Sequence, residues 1–135
     1  MKQILLIEDN AGDVLLIRQV IAEATDPVKV HVAMDGEQAI RMLADPEIKP
    51  DLIILDLNIP KVQGLTILAQ YKPTAPVVVF TSSSNPAEME RAMELGAKEF
   101  VRKPIDFGEF EKLVMRMVQD WAEPGVSGAA GGESE

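Results

Sequence analysis

Five times along the sequence a short apolar run gives way to a segment whose apolar residues recur every three or four positions, and that alternation leaves few folds open. The runs are Ile4–Ile7, Val28–Ala33, Leu52–Leu55, Val77–Phe80 and a shorter one at Glu99–Val101. Leu52–Leu55 has no polar position, as expected of a strand covered on both faces. After the first run, Val14, Ile17, Val20, Ile21 and Ala24 fall on one side of a helix predicted over Ala11–Ala24. After the second, Asp35 caps a helix beginning at Gly36, Gln38 is its capping-box partner, and Ala39, Met42 and Leu43 face inward. A short helix follows the third run at Gly64–Gln70. Asn85, Pro86 and Glu88 supply a cap, a first-turn proline and a box partner for the fourth helix, which Gly96 stops. Asp106 and Glu109 open the fifth, running to about Trp121 with Phe110, Leu113, Val114, Met117 and Trp121 on its apolar side. Strands alternating with helices predict an α/β fold: a single doubly wound domain with a five-stranded parallel sheet, right-handed crossovers and helices on both faces.

That domain is predicted over residues 1–122. Residues 123–135 are rich in Gly, Ser, Ala and Glu and are expected to form a flexible tail. A chain of 135 residues that is 47% hydrophobic and 26% charged can bury a core of its own but has no room for two full domains. With no cysteine, disulfides, thiolate nucleophiles and cysteine-held zinc are excluded, and the lone His31 cannot supply a histidine-rich metal site. The formal net charge of -9 repels phosphate backbones and anionic lipid, so neither nucleic acid nor membrane is an expected partner. The amino end lacks a signal peptide's apolar stretch, and no run approaches the roughly 18 residues of a membrane span. A cytoplasmic location is expected.

In an open parallel sheet, ligands bind in the crevice at the carboxyl ends of the strands. The residues just past the runs are polar: Glu8 and Asp9 after the first, Asp56 after the third, Thr81 with Ser82 and Ser83 after the fourth, and Arg102, Lys103 and Pro104 after the fifth. Two carboxylates about 4 Å apart repel by roughly 4 kcal/mol at an effective dielectric of 20. One lysine balances only one of three such charges, so an all-oxygen site of this kind suits a divalent cation, magnesium or manganese. Asp56, at the end of a buried run, is placed as a nucleophile toward phosphorus, with the metal, Lys103 and hydroxyl or backbone donors neutralising the transferring group.

Four segments in order resemble the receiver domains of bacterial two-component response regulators, the CheY-like proteins. They are Ile4-Leu5-Leu6-Ile7-Glu8-Asp9-Asn10, Leu55-Asp56-Leu57-Asn58-Ile59-Pro60 with Gly64, Val77-Val78-Val79-Phe80-Thr81-Ser82, and Phe100-Val101-Arg102-Lys103-Pro104. The resemblance implies the flavodoxin-like (βα)5 fold with strand order 2-1-3-4-5. It implies that Asp56 accepts a phosphoryl group from a phosphohistidine on a sensor histidine kinase or histidine phosphotransfer protein. Asp9, Asp56 and the Asn58 carbonyl would hold Mg2+ (or Mn2+), with Glu8 acting directly or through water. Lys103 would pair with the phosphoryl group, Thr81 would donate its hydroxyl to it, and Phe100 would rotate inward and alter the surface read by a downstream protein target. The chain would thus be a signalling domain that catalyses its own phosphorylation and dephosphorylation, acting as a shuttle or adaptor or through a homodimer. The Lys103–Pro104 bond would be cis. The opening Glu8-Asp9-Asn10 with Asp13, and Leu57-Asn58-Ile59-Pro60-Lys61, look most like the single-domain receivers paired with bacterial phytochromes. Val62 and Gln63 depart from the family's frequent Met and Asp, and the segment between Asp56 and Thr81 is short, which bears on the third helix.

Taken singly, each of these residues has an ordinary reading: Asp9 or Asn10 as a helix cap, Asp56 as a loop acid, Thr81 as a strand-end hydroxyl, Lys103 as a surface charge, Phe100 as core. Their company argues for the site. His31 reads as structural or surface, Trp121 as the anchor of the last helix, and Glu88, Glu90, Arg91 and Glu94 as a solvated face. Met89 and Met93 read as core rather than as an adaptable partner surface. Two rivals stand beside the receiver. An aspartyl-nucleophile phosphatase of the haloacid dehalogenase type would want an acid where Asn58 stands, and a phosphorylation-independent interaction module would not need the full set.

Overall fold

The computed structural model describes residues 1–122; the expected tail, 123–135, lies outside the described residues. Five strands, β1 (Lys2–Ile7), β2 (Val28–Ala33), β3 (Leu52–Leu55), β4 (Val77–Thr81) and β5 (Glu99–Arg102), form one parallel sheet in the order β2-β1-β3-β4-β5. They alternate with α1 (Ala11–Ala22), α2 (Gly36–Ala44), α3 (Gly64–Tyr71), α4 (Pro86–Glu94) and α5 (Phe107–Met117). The fold expected from the alternation is the one observed.

The period-2 alternation of a strand explains why the apolar runs are continuous. Ile4, Leu6, Leu52, Ile54, Val78 and Phe80 point to one face, where α1 and α5 cover them with Ile17, Val20, Ile21, Phe110, Val114 and Met117. Leu5, Ile7, Ile53, Leu55, Val77 and Val79 point to the other, under Ala39 of α2, Ile67 and Leu68 of α3, and Ala92 of α4. Each of the Val, Leu, Ile, Phe and Met side chains among them contributes about 1.5–3 kcal/mol on full burial.

Caps set the helix starts. Side-chain oxygens of Asn10, Asp35, Asn85 and Asp106 accept from the backbone N–H of Asp13, Gln38, Ala87 and Glu109 respectively. The cap at α1 is therefore Asn10, not Asp9. The expected box at α4 does not close, because Glu88 instead accepts a hydrogen bond from the Ser83 hydroxyl. Gln38 reaches one residue further back than a box requires, to the N–H of Met34. α4 ends before Gly96, as its sequence predicts. The expected single helix to Trp121 instead turns into a wider π-type turn over Val118–Ala122. There Glu99 at the start of β5 accepts two bonds from Arg116, at 2.7 and 3.1 Å, and one from the Trp121 indole at 2.9 Å. Trp121 does anchor the last helix.

Two further expectations fail. Met89 and Met93 are 46% and 44% exposed, because α4 rests on the sheet through Ala92, with Leu95 just past its end, and the methionines stand off that side. The Lys103–Pro104 bond is trans, as are all peptide bonds among the described residues. The cis form costs about 0.5–1 kcal/mol before proline, and Lys103 reaches its partners from the trans form without it.

α3 is short, two turns, and its first residue packs hard against β3. Gly64 donates to the Leu57 carbonyl at 3.1 Å, and a Cβ there would lie 2.9 Å from the Asp56 carbonyl oxygen and 2.8 Å from the Leu57 Cα. Gly64→Ala is therefore expected to cost about 1–3 kcal/mol, measured by urea unfolding; a change below about 0.5 kcal/mol would contradict the close approach.

Candidate functional site

The site is made by the residues that stand one step beyond the strands, each held by a bond that prolongs the sheet's own ladder. The Glu8 N–H donates to the Ala33 carbonyl at 3.0 Å, continuing β1–β2. The Asp56 N–H donates to the Ile7 carbonyl at 2.9 Å, continuing β1–β3, and the Lys103 N–H donates to the Thr81 carbonyl at 2.7 Å, continuing β4–β5. Since side chains alternate along a strand, the register that buries the runs also decides that Glu8, Asp56 and Lys103 emerge at one edge. They are fixed by the sheet's own hydrogen bonds.

There they meet. Lys103 Nζ lies 2.6 Å from a Glu8 oxygen, 2.8 Å from Asp13 Oδ2 and 2.9 Å from Asp56 Oδ2. Asp56 Oδ1 accepts from the Asn58 N–H at 3.1 Å, and the second Glu8 oxygen accepts from the Asn10 N–H at 3.1 Å. Glu8, Asp9 and Asp56 each offer a carboxylate oxygen within 4.8 Å of the others; Glu8 and Asp56 are buried and Asp9 is exposed. Thr81 is fully buried, its hydroxyl oxygen accepting from the Ser83 N–H at 3.4 Å. Phe100 stands apart from the carboxylates, half-buried at a small cleft with Ser83, Pro86, Met89 and Arg102. Asn58 is exposed beside Asp56.

Asp13 is the residue that sequence reasoning did not place in the site. It occupies the first turn of α1, three residues after the Asn10 cap, and reaches Lys103 across 90 positions of sequence. The sequence puts Asp13 in the first turn of a helix that starts directly after Asn10, close to the end of β1, but names no partner for it.

The donors are all hard oxygens, and His31 sits away on β2, bonded to Gln3 at 2.8 Å. This set fits a divalent cation such as magnesium, manganese or calcium, and does not fit the soft metals that seek sulfur. Oxygens sharing a six-coordinate ion lie about 3–4 Å apart, a closure that side-chain rotation of exposed Asp9 can supply.

Electrostatics show the strain of the cluster. Burial pushes the Glu8 carboxyl up to about 7, with Lys103 pulling it down and Asp56 adding to the rise. Burial works against the charge on Lys103, yet its bonds to Asp13, Glu8 and Asp56 more than offset this and raise it above the ordinary lysine range. A carboxyl held above its unfolded value of 4.5 binds more protons folded than unfolded. Its contribution to stability is therefore complete below pH about 4.5 and is lost as pH rises toward about 7. In chelator, urea unfolding should show stability falling across this window, and Glu8→Gln should flatten the fall; an identical slope in the variant would refute the assignment.

Comparison with known proteins gives the site its context. The family described as the response regulator receiver domain matches residues 4–115. Response regulator Rcp1 of Synechocystis is 31% identical over 132 residues, covering 90% of each chain. The crystal structure of its Mn2+-bound form superposes with a TM-score of 0.84 at 32% identity, covering 91% of this chain and 96% of that one. The phosphorylated cyanobacterial phytochrome response regulator RcpA gives 0.83 at 34%, covering 89% and 93%. A protein-glutamate methylesterase/protein-glutamine glutaminase of Geobacter sulfurreducens is 37% identical over 117 residues, 84% of this chain but 31% of that enzyme, so this chain spans about a third of its length. No helix among the described residues is long and apolar enough to cross a membrane. The fold, the strand-end residues and these likenesses agree: the chain belongs to the CheY-like response regulator receiver family of two-component systems.

Proposed function

We propose that Asp56 is the phosphoryl acceptor of this receiver and that Thr81 and Phe100 convert its modification into a change of surface. The observation that carries the reading is the Asp56 carboxylate: buried, fixed by the β1–β3 ladder, and in contact with an ammonium 2.9 Å away. An Asp56 oxygen attacks phosphorus, the P–N bond to the donor imidazole breaks, and the leaving imidazole keeps its electron pair and takes up a proton. The product is an aspartyl phosphate, and water attacking the same phosphorus regenerates the carboxylate. Lys103 balances the charge on the transferring group while remaining paired to Glu8 and Asp13.

Glu8, Asp9, Asp56 and the Asn58 backbone carbonyl would hold the cation. Magnesium, the natural occupant of such a hard, partly exposed set, would neutralise phosphoryl oxygens during transfer. Thr81 turns its hydroxyl toward the phosphoryl group and gives up the bond from the Ser83 N–H. Phe100 moves inward from its cleft, and the faces of α4, β5 and α5 change together for a downstream protein. The donor is a histidine kinase or phosphotransfer protein, and the likeness to Rcp1 and RcpA favours a phytochrome-type kinase. The acidic net charge supports a protein partner over nucleic acid, and the amino end, without a signal peptide's apolar stretch, supports a cytoplasmic location.

Incubation with Mg2+ and acetyl phosphate should add the mass of one phosphoryl group, absent in Asp56→Asn and under chelation. Rapid turnover of the small donor with no phosphorylated chain accumulating would favour a phosphatase instead, and a chain neither modified nor turning the donor over would sink the reading. Lys103→Ala should accept the group yet leave α4 amide exchange as in the unmodified protein. Wild-type and variant α4 exchange that respond alike to modification would refute a coupling role for the lysine.

A further inference from the structure

The loop from Leu57 to Gln63 joins β3 to α3 and carries Asn58, and its anchors are asymmetric. On its inner side Leu57 and Ile59 are buried in the core. On its outer side it is fastened to a different element, the first turn of α2. The Gly36 N–H donates to the Pro60 carbonyl at 3.0 Å, and the same carbonyl accepts from the Val62 N–H at 2.9 Å. Val62 lies so close that a Cβ on Gly36 would fall 2.2 Å from its carbonyl oxygen and 2.5 Å from its Cβ, closer than any atoms can sit without the backbone giving way. Between Pro60 and Val62, Lys61 is held at φ 73°, a left-handed conformation that L side chains rarely adopt. Its ammonium lies 3.6 Å from Asp35 and 3.4 Å from Glu37, on either side of Gly36. A strained residue persists only where its surroundings over-determine it.

We propose that the first turn of α2 is a positioning element for the phosphoryl and cation site. Gly36, by lacking a side chain and by donating to Pro60, holds the Leu57–Gln63 loop in the tight turn that sets Asn58 beside Asp56. Gly36 touches neither substrate nor cation; it acts through the loop. Its role is distinct from that of Gly64, which fits the other end of the same loop onto β3. Lys61 contributes its backbone conformation; its own side chain is more than half exposed and its ion pairs are long, at 3.4 and 3.6 Å, so they contribute little. This inference rests on the proposed use of the Asn58 carbonyl as a ligand.

Full-length wild type, Gly36→Ala, Lys61→Pro and Lys61→Gly are titrated with Mn2+, free ion being read by electron paramagnetic resonance and folding by urea midpoint. Proline cannot adopt a positive φ and glycine adopts it freely, so the two Lys61 variants remove the same charge but treat the backbone oppositely. Gly36→Ala and Lys61→Pro are expected to bind Mn2+ about tenfold or more weakly, and Lys61→Gly to stay within about threefold of wild type. Wild-type affinity in folded Gly36→Ala or Lys61→Pro would overturn the proposal, as would an equal loss in Lys61→Gly. Should Gly36→Ala not fold, Lys61→Pro decides, since Lys61 is exposed and only its turn is altered. A wild type that takes up no Mn2+ would instead remove the proposed site itself, and the inference with it.

Discussion

One ammonium group is shared among three carboxylates, and the site depends on that sharing. Lys103 reaches Glu8, Asp13 and Asp56 at 2.6–2.9 Å, with Asp9 beside them. Mutual repulsion among such acids, roughly 4 kcal/mol for a pair at about 4 Å, is not cancelled by a single positive charge. The arrangement is stable enough to exist and far enough from neutrality to attract a cation and, with it, a phosphoryl group. What keeps the acids from simply moving apart is their attachment: Glu8, Asp56 and Lys103 are each tied by a backbone hydrogen bond that extends the sheet. Core burial thus holds the charges at close quarters, and the packing of β1, β3 and β4 is the counterweight to the repulsion.

Much of this was legible in the sequence because the relevant patterns are local. Apolar runs marked the strands to within a residue or two, and most sharply at β3, which is covered on both faces and has no polar position to blur its limits. Asp35, Asn85 and Asp106 announced helix starts, because a cap acts on N–H groups two or three residues ahead, while at α1 the sequence left Asp9 and Asn10 both open. Glu8, Asp56 and Lys103 could be found because a parallel sheet gathers its strand ends at one edge, so the position just beyond each run is where chemistry collects.

The misses depend on distance in the chain. Nothing near Asp13 indicates that its carboxylate meets an ammonium 90 positions later. The methionines of α4 looked like core because they are four apart, but spacing gives a stripe and not its direction. Ala92 and Leu95, one position round, supply the inward face. The box at α4 failed because Ser83, in the preceding loop, competes for Glu88. The trans bond at Pro104 reflects a small energy difference that the wider structure decides.

The bond between the Trp121 indole and Glu99 has an optical consequence. The sequence contains one tryptophan, and its ring is tied to the first residue of the strand that carries Phe100 and precedes Lys103. Indole emission responds to the charge and hydrogen bonding around it. A displacement of β5 against α5 therefore alters the colour or yield of a built-in fluorophore about one strand length from the acidic cleft, with no label added.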